Sequence, residues 1–214
     1  MFFSSALSRA SNIFRKIHKN PTMSKKLLVL ARQIRRGVAE HAVVPTKLYG
    51  NVYAYEIDGY GSTNMMDDAN TPSLLSMPLF GYLAENALSP ENNDMDAPEI
   101  YANTRKKVLS LQSPYFAKGA AITGMGSPHT QPGRVWPMAV ITRIRTSEDD
   151  DEIIEGLRML LASTNGYGLM HESVDADDAA NWSRSWFAWA NSLFGQMINE
   201  LADRKPHILA MSFQ

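Results

Sequence analysis

Cysteine is absent from the 214 residues, which excludes a disulfide framework, a thiolate nucleophile and a thiolate metal site, and leaves the compartment unread. No run approaches the roughly 18 apolar residues that a membrane span requires. Acid is missing from residues 1 to 39, where Arg9, Arg15, Lys16, Lys19, Lys25, Lys26, Arg32, Arg35 and Arg36 are basic. An acid-free start bearing Ser and Arg is also the composition of a transit peptide, but such a peptide rarely continues into a second well-patterned helix. The net charge of the whole chain is −1, which argues against nucleic acid as a partner. Two metal motifs are incomplete. His171-Glu172 needs a second His at position 175 to ligate zinc from one helical face, and that position is Asp175. Asp175, Asp177 and Asp178 lack the Gly and the closing Glu of an EF-hand loop. Neither a metal nor another cofactor is therefore expected.

What is present is 44% hydrophobic residues, enough for one or two ordinary domains with a sizeable core. Phe3, Ala6, Leu7, Ala10, Ile13, Phe14 and Ile17 at helical spacing predict a helix over residues 2 to 18, stopped by Asn20-Pro21. A second runs from Thr22 to Glu40, with Leu27, Leu30, Ala31, Ile34 and Val38 inward and the basic residues opposite. Residues 43 to 60 change period and read as a short hairpin turning at Gly50-Asn51. Thr71-Pro72 reads as the N-cap and first residue of a third helix, which leaves Asp67, Asp68 and Asn70 in the loop before it. A polar stretch from Asn86 to Ala97 precedes a helix from Pro98 to about Leu111. Trp136-Pro137 opens another helix to about Arg145, Ser147 caps the next, and the last runs from about residue 183 to Arg204. The expectation is an all-α chain of seven helices with one small hairpin.

The chemistry concentrates in residues 166 to 192. Gly166 and Gly168 lead into His171, Glu172 and the acids after them, and a helix bearing Trp182, Arg184, Trp186 and Trp189 follows. Glycines allow close backbone approach, carboxylates serve as bases or hydroxyl acceptors, and tryptophans offer flat faces, a combination suited to a carbohydrate. The alternative is a solvated acidic loop capping a helix whose tryptophans are core. Residues 113 to 137 form the longest stretch without periodicity and carry His129 and Arg134; long irregular loops in compact domains are usually functional. The loops at Asp67, His129 and Glu172 each precede an alternate helix, which predicts a shared rim of helical hairpins.

Three blocks, YAYEIDGYGSTNMMDDANTPSLLSMPLFGY, GSPHTQPGRVWPM and MHESVDADDAANWSRSWFAWANSLFGQMI, resemble in order the signatures of glycoside hydrolase family 125, the exo-α-1,6-mannosidases. The resemblance covers the chain from about Met1 to Leu201. It implies an (α/α)6 toroid of helical hairpins, of which residues 1–214 would be a single C-terminal portion. It also implies an inverting hydrolysis of terminal α-linked mannose on an oligosaccharide or N-glycan, with two carboxyl groups roughly 6.5–9.5 Å apart. The family's general base falls on Glu172. Asp67, Asp68, Asn70, His129, Arg134, Trp136, His171, Trp182 and Arg184 would bind substrate, with Trp182 contacting the sugar and Trp189 in the core.

The general acid belongs to a Ser-Asp-Asp segment upstream of anything that this chain contains, so the acid is expected to be missing. A partial toroid would expose apolar helix faces around Leu74, Leu75 and Phe187 and favour self-association. Two other classes stay open: a non-catalytic descendant that binds mannosides or a partner protein, and a magnesium-dependent α-helical enzyme with Asp67, Asp68 and Asn70 facing Asp175 and Asp178.

Overall fold

The computed structural model describes residues 1–87 and 96–213. The polar stretch expected from Asn86 to Ala97 therefore lies mostly outside the described residues. Two compact units are formed, Met1–Met65 with Ser76–Lys107 and Met66–Leu75 with Val108–Gln214. The described residues hold eight α-helices and nine short strands in four small sheets. None of these helices is long and apolar enough to cross a membrane.

The first unit opens with α1 (Phe2–Lys16) and α2 (Pro21–His41). Asn20, which ends the first periodic run, caps the second helix by accepting the Met23 amide, with Pro21 in the first turn. The helices approach through small residues. Ser4, Ser5, Leu7 and Ser11 are buried on α1, and Ser11 bonds to the carbonyl and hydroxyl of Ser24 at 2.9 and 2.8 Å. Phe3, Ile13 and Ile17 of the first periodic run are exposed, and Leu30 on α2, expected inward, is exposed as well. Arg35, expected outside with the other basic residues, is only 3% exposed. Its guanidinium lies 4.7 Å above the Tyr82 ring and donates to the Tyr82 carbonyl and to Ser5 Oγ. A delocalised cation satisfied in this way is tolerated inside.

The hairpin forms between β1 (Val43–Thr46) and β2 (Gly50–Tyr53), with Val44 opposite Val52. Its turn precedes Gly50, whose φ of +73° suits glycine, instead of centring on Gly50-Asn51. A second hairpin, β3 (Glu56–Ile57) with β4 (Thr63–Asn64), follows it. A 3-10 turn at Met77–Phe80, α3 (Tyr82–Ala87) and α4 (Ala97–Val108) complete the unit. No helix begins at Thr71-Pro72. Both carboxylate oxygens of Asp67 take backbone amides there, from Leu74 at 2.9 Å and Leu75 at 3.1 Å, and hold the segment as a loop. Leu74 and Leu75, expected to lie on an unpartnered helix face, are buried.

The second unit contains β5 (Phe116–Lys118), β6 (Thr123–Met125), β7 (Arg134–Val135), α5 (Pro137–Arg145), α6 (Asp150–Ala162), β8 (Ser173–Asp175), β9 (Trp182–Ser183), α7 (Ala188–Arg204) and α8 (Pro206–Leu209). Its core surrounds α5, where Met138, Val140, Ile141 and Ile144 are fully buried among residues of α6, α7 and β6. Asp149, not Ser147, caps α6 by accepting the Glu152 amide, while Ser147 Oγ accepts that of Asp149. The C-terminal end of α5 is tied by charge: Arg145 grips Glu200 of α7 with two bonds of 2.7 and 2.8 Å, a bidentate geometry that fixes orientation.

Gly156 lets α6 approach α5. A Cβ there would stand 2.7 Å from Ile144 Cγ1 and 2.9 Å from its Cδ1. Ile144 is buried and stiff at χ1, so Gly156→Ala is expected to cost about 1–3 kcal/mol by overpacking, despite alanine's better helix propensity. Denaturant unfolding checks this; a stabilised variant would show that the interface yields.

Candidate active site

The sheet β7-β8-β9 assembles the chemistry. Antiparallel pairing sets Ser173 opposite Ser183 and Val174 opposite Trp182, which brings the residue before β8, Glu172, to the one after β9, Arg184. The Glu172 amide donates to the Ser183 carbonyl at 3.3 Å. Ser183 Oγ donates to Glu172 Oε2 at 3.0 Å, and Arg184 Nε lies 3.2 Å from the same oxygen. The Glu172 side chain is 15% exposed, shielded enough for its partners to hold it and open enough to meet a ligand. Arg184 has φ +56°, a left-handed conformation that costs a residue with a Cβ about 1–2 kcal/mol and that tends to collect at functional sites.

His171 is buried behind Glu172, with Nδ1 3.3 Å from the Arg184 carbonyl. A carbonyl only accepts, so in the neutral ring Nδ1 carries the hydrogen and Nε2 is the acceptor. The imidazole is stacked on Trp182, with centroids 4.6 Å apart and planes 6° apart, and Tyr167 meets both rings edge-on. His171 Nε2 and Trp182 Nε1 are buried without a hydrogen-bond partner among the described residues.

Beside this sheet lies an open depression of about 490 Å3 lined by His129, Thr130, Gln131, Arg134 and Ser183. Arg134 Nη2 donates to Asn181 Oδ1 at 2.6 Å and Nη1 to the Asn181 carbonyl at 3.3 Å. Trp136 is not on this wall. It is 3% exposed, its Nε1 donates to Thr130 Oγ1 at 2.9 Å, and its ring packs edge-on to Phe187. The indole supports the depression from within. Trp186 and Trp189 are exposed, Trp189 by 42%, which overturns the expectation that Trp189 is core. The helix starts at Ala188, five residues later than expected, because residues 182–183 are strand.

The loop with Asp67, Asp68 and Asn70 is tied to the loop that leads to His129. Ala69 N donates to the Gly126 carbonyl at 3.0 Å, and Asn70 Nδ2 reaches Ser127 Oγ at 3.5 Å. Asp68 Oδ1 accepts both the amide and the side-chain Nδ2 of Asn70, each at 3.0 Å. Asp67 is fully buried, and each of its oxygens receives a backbone amide, which makes it a clamp for the loop. Burial pushes its carboxyl up to about 7, against the amides of Leu74 and Leu75, which favour the ionised form. The acids after β8 also serve the backbone: Asp175 accepts the Asp177 amide, Asp177 that of Ala120 and Asp178 that of Ala180. Among the described residues no three His, Cys, Asp or Glu gather to hold a metal ion.

Thr130, Gln131, Asn181, Ser173 and Ser183 belong to this neighbourhood without having been singled out from sequence. All five lie in the second and third blocks: Thr130 and Gln131 after His129, Ser173 after Glu172, and Asn181 and Ser183 on either side of Trp182.

Comparison with known proteins bears on the family. The profile of the metal-independent α-mannosidases (GH125) matches residues 1–199. The chain is 47% identical over 188 residues to the "Meiotically up-regulated gene 157 protein" of Schizosaccharomyces pombe, covering 87% of this chain and 35% of that protein. It also superposes with a TM-score of 0.79 and 32% identity on a Streptococcus pneumoniae structure described among metal-independent α-mannosidases, in a non-productive complex with α-1,6-mannobiose. That match covers 94% of this chain and 46% of the other, so the chain spans less than half the length of these relatives. A profile that matches nearly the whole chain, on a fold shared at this identity, makes the chain a member of glycoside hydrolase family 125, the metal-independent α-mannosidases.

Proposed function

We propose that residues 1–214 supply the base side of an inverting exo-α-1,6-mannosidase site that removes terminal mannose from glycans, built as the C-terminal part of an (α/α)6 toroid. The observation that carries this reading is the Glu172 carboxylate, held on one oxygen by Ser183 and Arg184 at the edge of the depression that Ser183 helps to line. In the reaction, Glu172 takes a proton from a water whose oxygen bonds to the anomeric carbon. The bond from that carbon to the glycosidic oxygen breaks, and the oxygen takes a proton from a second carboxylic acid. Asp67 is unsuited to that role, since it faces no open space. The acid is proposed to lie in the part of the family's length that this chain does not span.

A second reading is favoured by that same division: acting alone, the chain would bind mannosides without cleaving them. Titration with α-1,6-mannobiose, the ligand of the pneumococcal complex, and assay for released mannose separate the two. Trp182→Ala is expected to weaken mannobiose binding by about 1–3 kcal/mol, whereas Trp136→Ala should instead cost about 3–5 kcal/mol of stability. Unchanged binding in a folded Trp182→Ala variant would sink the assignment of this surface to sugar.

A further inference from the structure

We propose that Ser173 and Ser183 form a proton-ordered hydroxyl relay that positions Glu172, selecting Oε1 as the oxygen that accepts a proton. The role given to Oε1 rests on the reading of Glu172 as base; the relay itself does not.

The direction of the relay follows from counting hydrogens. An ionised carboxylate is an acceptor only, and a serine has a single hydroxyl hydrogen. At 3.0 Å from Glu172 Oε2, Ser183 spends that hydrogen on the carboxylate. The 2.7 Å contact between Ser173 Oγ and Ser183 Oγ must then be filled by the hydrogen of Ser173, with Ser183 accepting. Ser173 is fully buried, so no bulk water competes for its hydrogen, and a buried hydroxyl left unpaired costs about 1–3 kcal/mol. Cross-strand pairing of Ser173 with Ser183 sets the two hydroxyls side by side. Accepting a bond from Ser173 polarises the Ser183 hydroxyl and strengthens its own donation to Glu172.

Arg184 Nε, 3.2 Å away, is the second group on Oε2. Oε1 accepts no hydrogen bond from the described residues. One oxygen is thus held by the Ser183 hydrogen bond and the Arg184 ion pair while the other stays open to a ligand or water. Ser173 follows Glu172 in the chain, but its hydroxyl bonds to Ser183 and not to the carboxylate, and it does not line the depression, so it is a positioning residue that acts through Ser183.

The test uses the 214-residue chain with carboxyl-labelled glutamate, reading the Glu172 carboxyl resonance by 13C NMR at neutral pH, assigned by its loss in Glu172→Gln. Ser183→Ala is expected to displace the resonance and Ser183→Thr, which keeps the hydroxyl on a β-compatible residue, to restore it. Ser173→Ala is expected to displace it in the same direction by less and Ser173→Thr to restore it, a recovery that separates the Ser173 hydroxyl, which bonds to Ser183 and not to the carboxylate, from the peptide link that joins Ser173 to Glu172. A serine that merely fills space would leave the resonance in place. Near-UV circular dichroism verifies folding, and if Ser183→Ala does not fold, Ser183→Thr and Ser173→Ala decide. An unmoved resonance in folded Ser173→Ala overturns the relay. Hydrolysis that survives Glu172→Gln would instead overturn the base assignment while leaving this readout intact.

Discussion

Glu172→Gln is expected to cut hydrolysis of α-mannosides by about 10²–10⁴-fold in any active preparation that contains this chain, with mannobiose binding largely kept. The amide preserves the volume of the side chain and leaves a carbonyl to receive Ser183, but it cannot take a proton from water. The loss should be the same for substrates with good and poor leaving groups. An acid variant differs, because an aryl leaving group of low pKa needs little protonation and part of its rate survives. Truncation to Glu172→Ala opens the space in which water is activated, and azide attacking the anomeric carbon from that side should recover rate with inversion. Asp68→Asn, by contrast, disturbs the Asn70 turn and should raise KM without dependence on the leaving group. If Glu172→Gln retained activity on activated substrates while Asp68→Asn lost all of it, the roles of the two loops would have to be exchanged.

Asp67 is expected to make the chain less stable as pH rises from about 4 to about 7. Burial raises its folded value from the ordinary 3.8 to about 7, so the folded chain holds a proton that the unfolded chain releases within this window. The stabilising contribution is full below the unfolded value, is lost as pH rises through the folded one, and amounts to the order of 4 kcal/mol. Asp67→Asn removes that slope. It also replaces one of the two oxygens that receive Leu74 and Leu75 with a donor, at a cost of about 1–3 kcal/mol in acid, where the native residue is neutral. The difference between native and variant unfolding free energies should therefore shrink or change sign between pH 4.5 and 8. Denaturant melts across that range provide the check, and parallel curves would show that Asp67 does not titrate in this window.

Much of the helical order was legible because its signals are local. Asn20-Pro21, Trp136-Pro137 and the periodic Ile153, Leu157 and Leu160 each mark or fill an observed helix. Glu172 stood out because Gly, His, acids and tryptophans crowd around it in a single stretch. The helix expected at Thr71-Pro72 failed for the converse reason: the decisive bonds run from Asp67 to Leu74 and Leu75, beyond the reach of any capping rule.

Composition and the three ordered blocks were by themselves enough to exclude thiol chemistry, to mark most of the helices and to indicate the family. Tertiary structure alone decided which faces are buried. Periodicity reports that a helix has two unlike sides but not what packs against either, so Ser11 and Arg35 went inside while Ile13 and Ile17 stayed out. Tertiary structure also decided what holds the base. Strands of two and three residues, β9 and β8, are too short to show a period of 2, and the pairing of Ser173 with Ser183 exists only once the chain has folded back on itself.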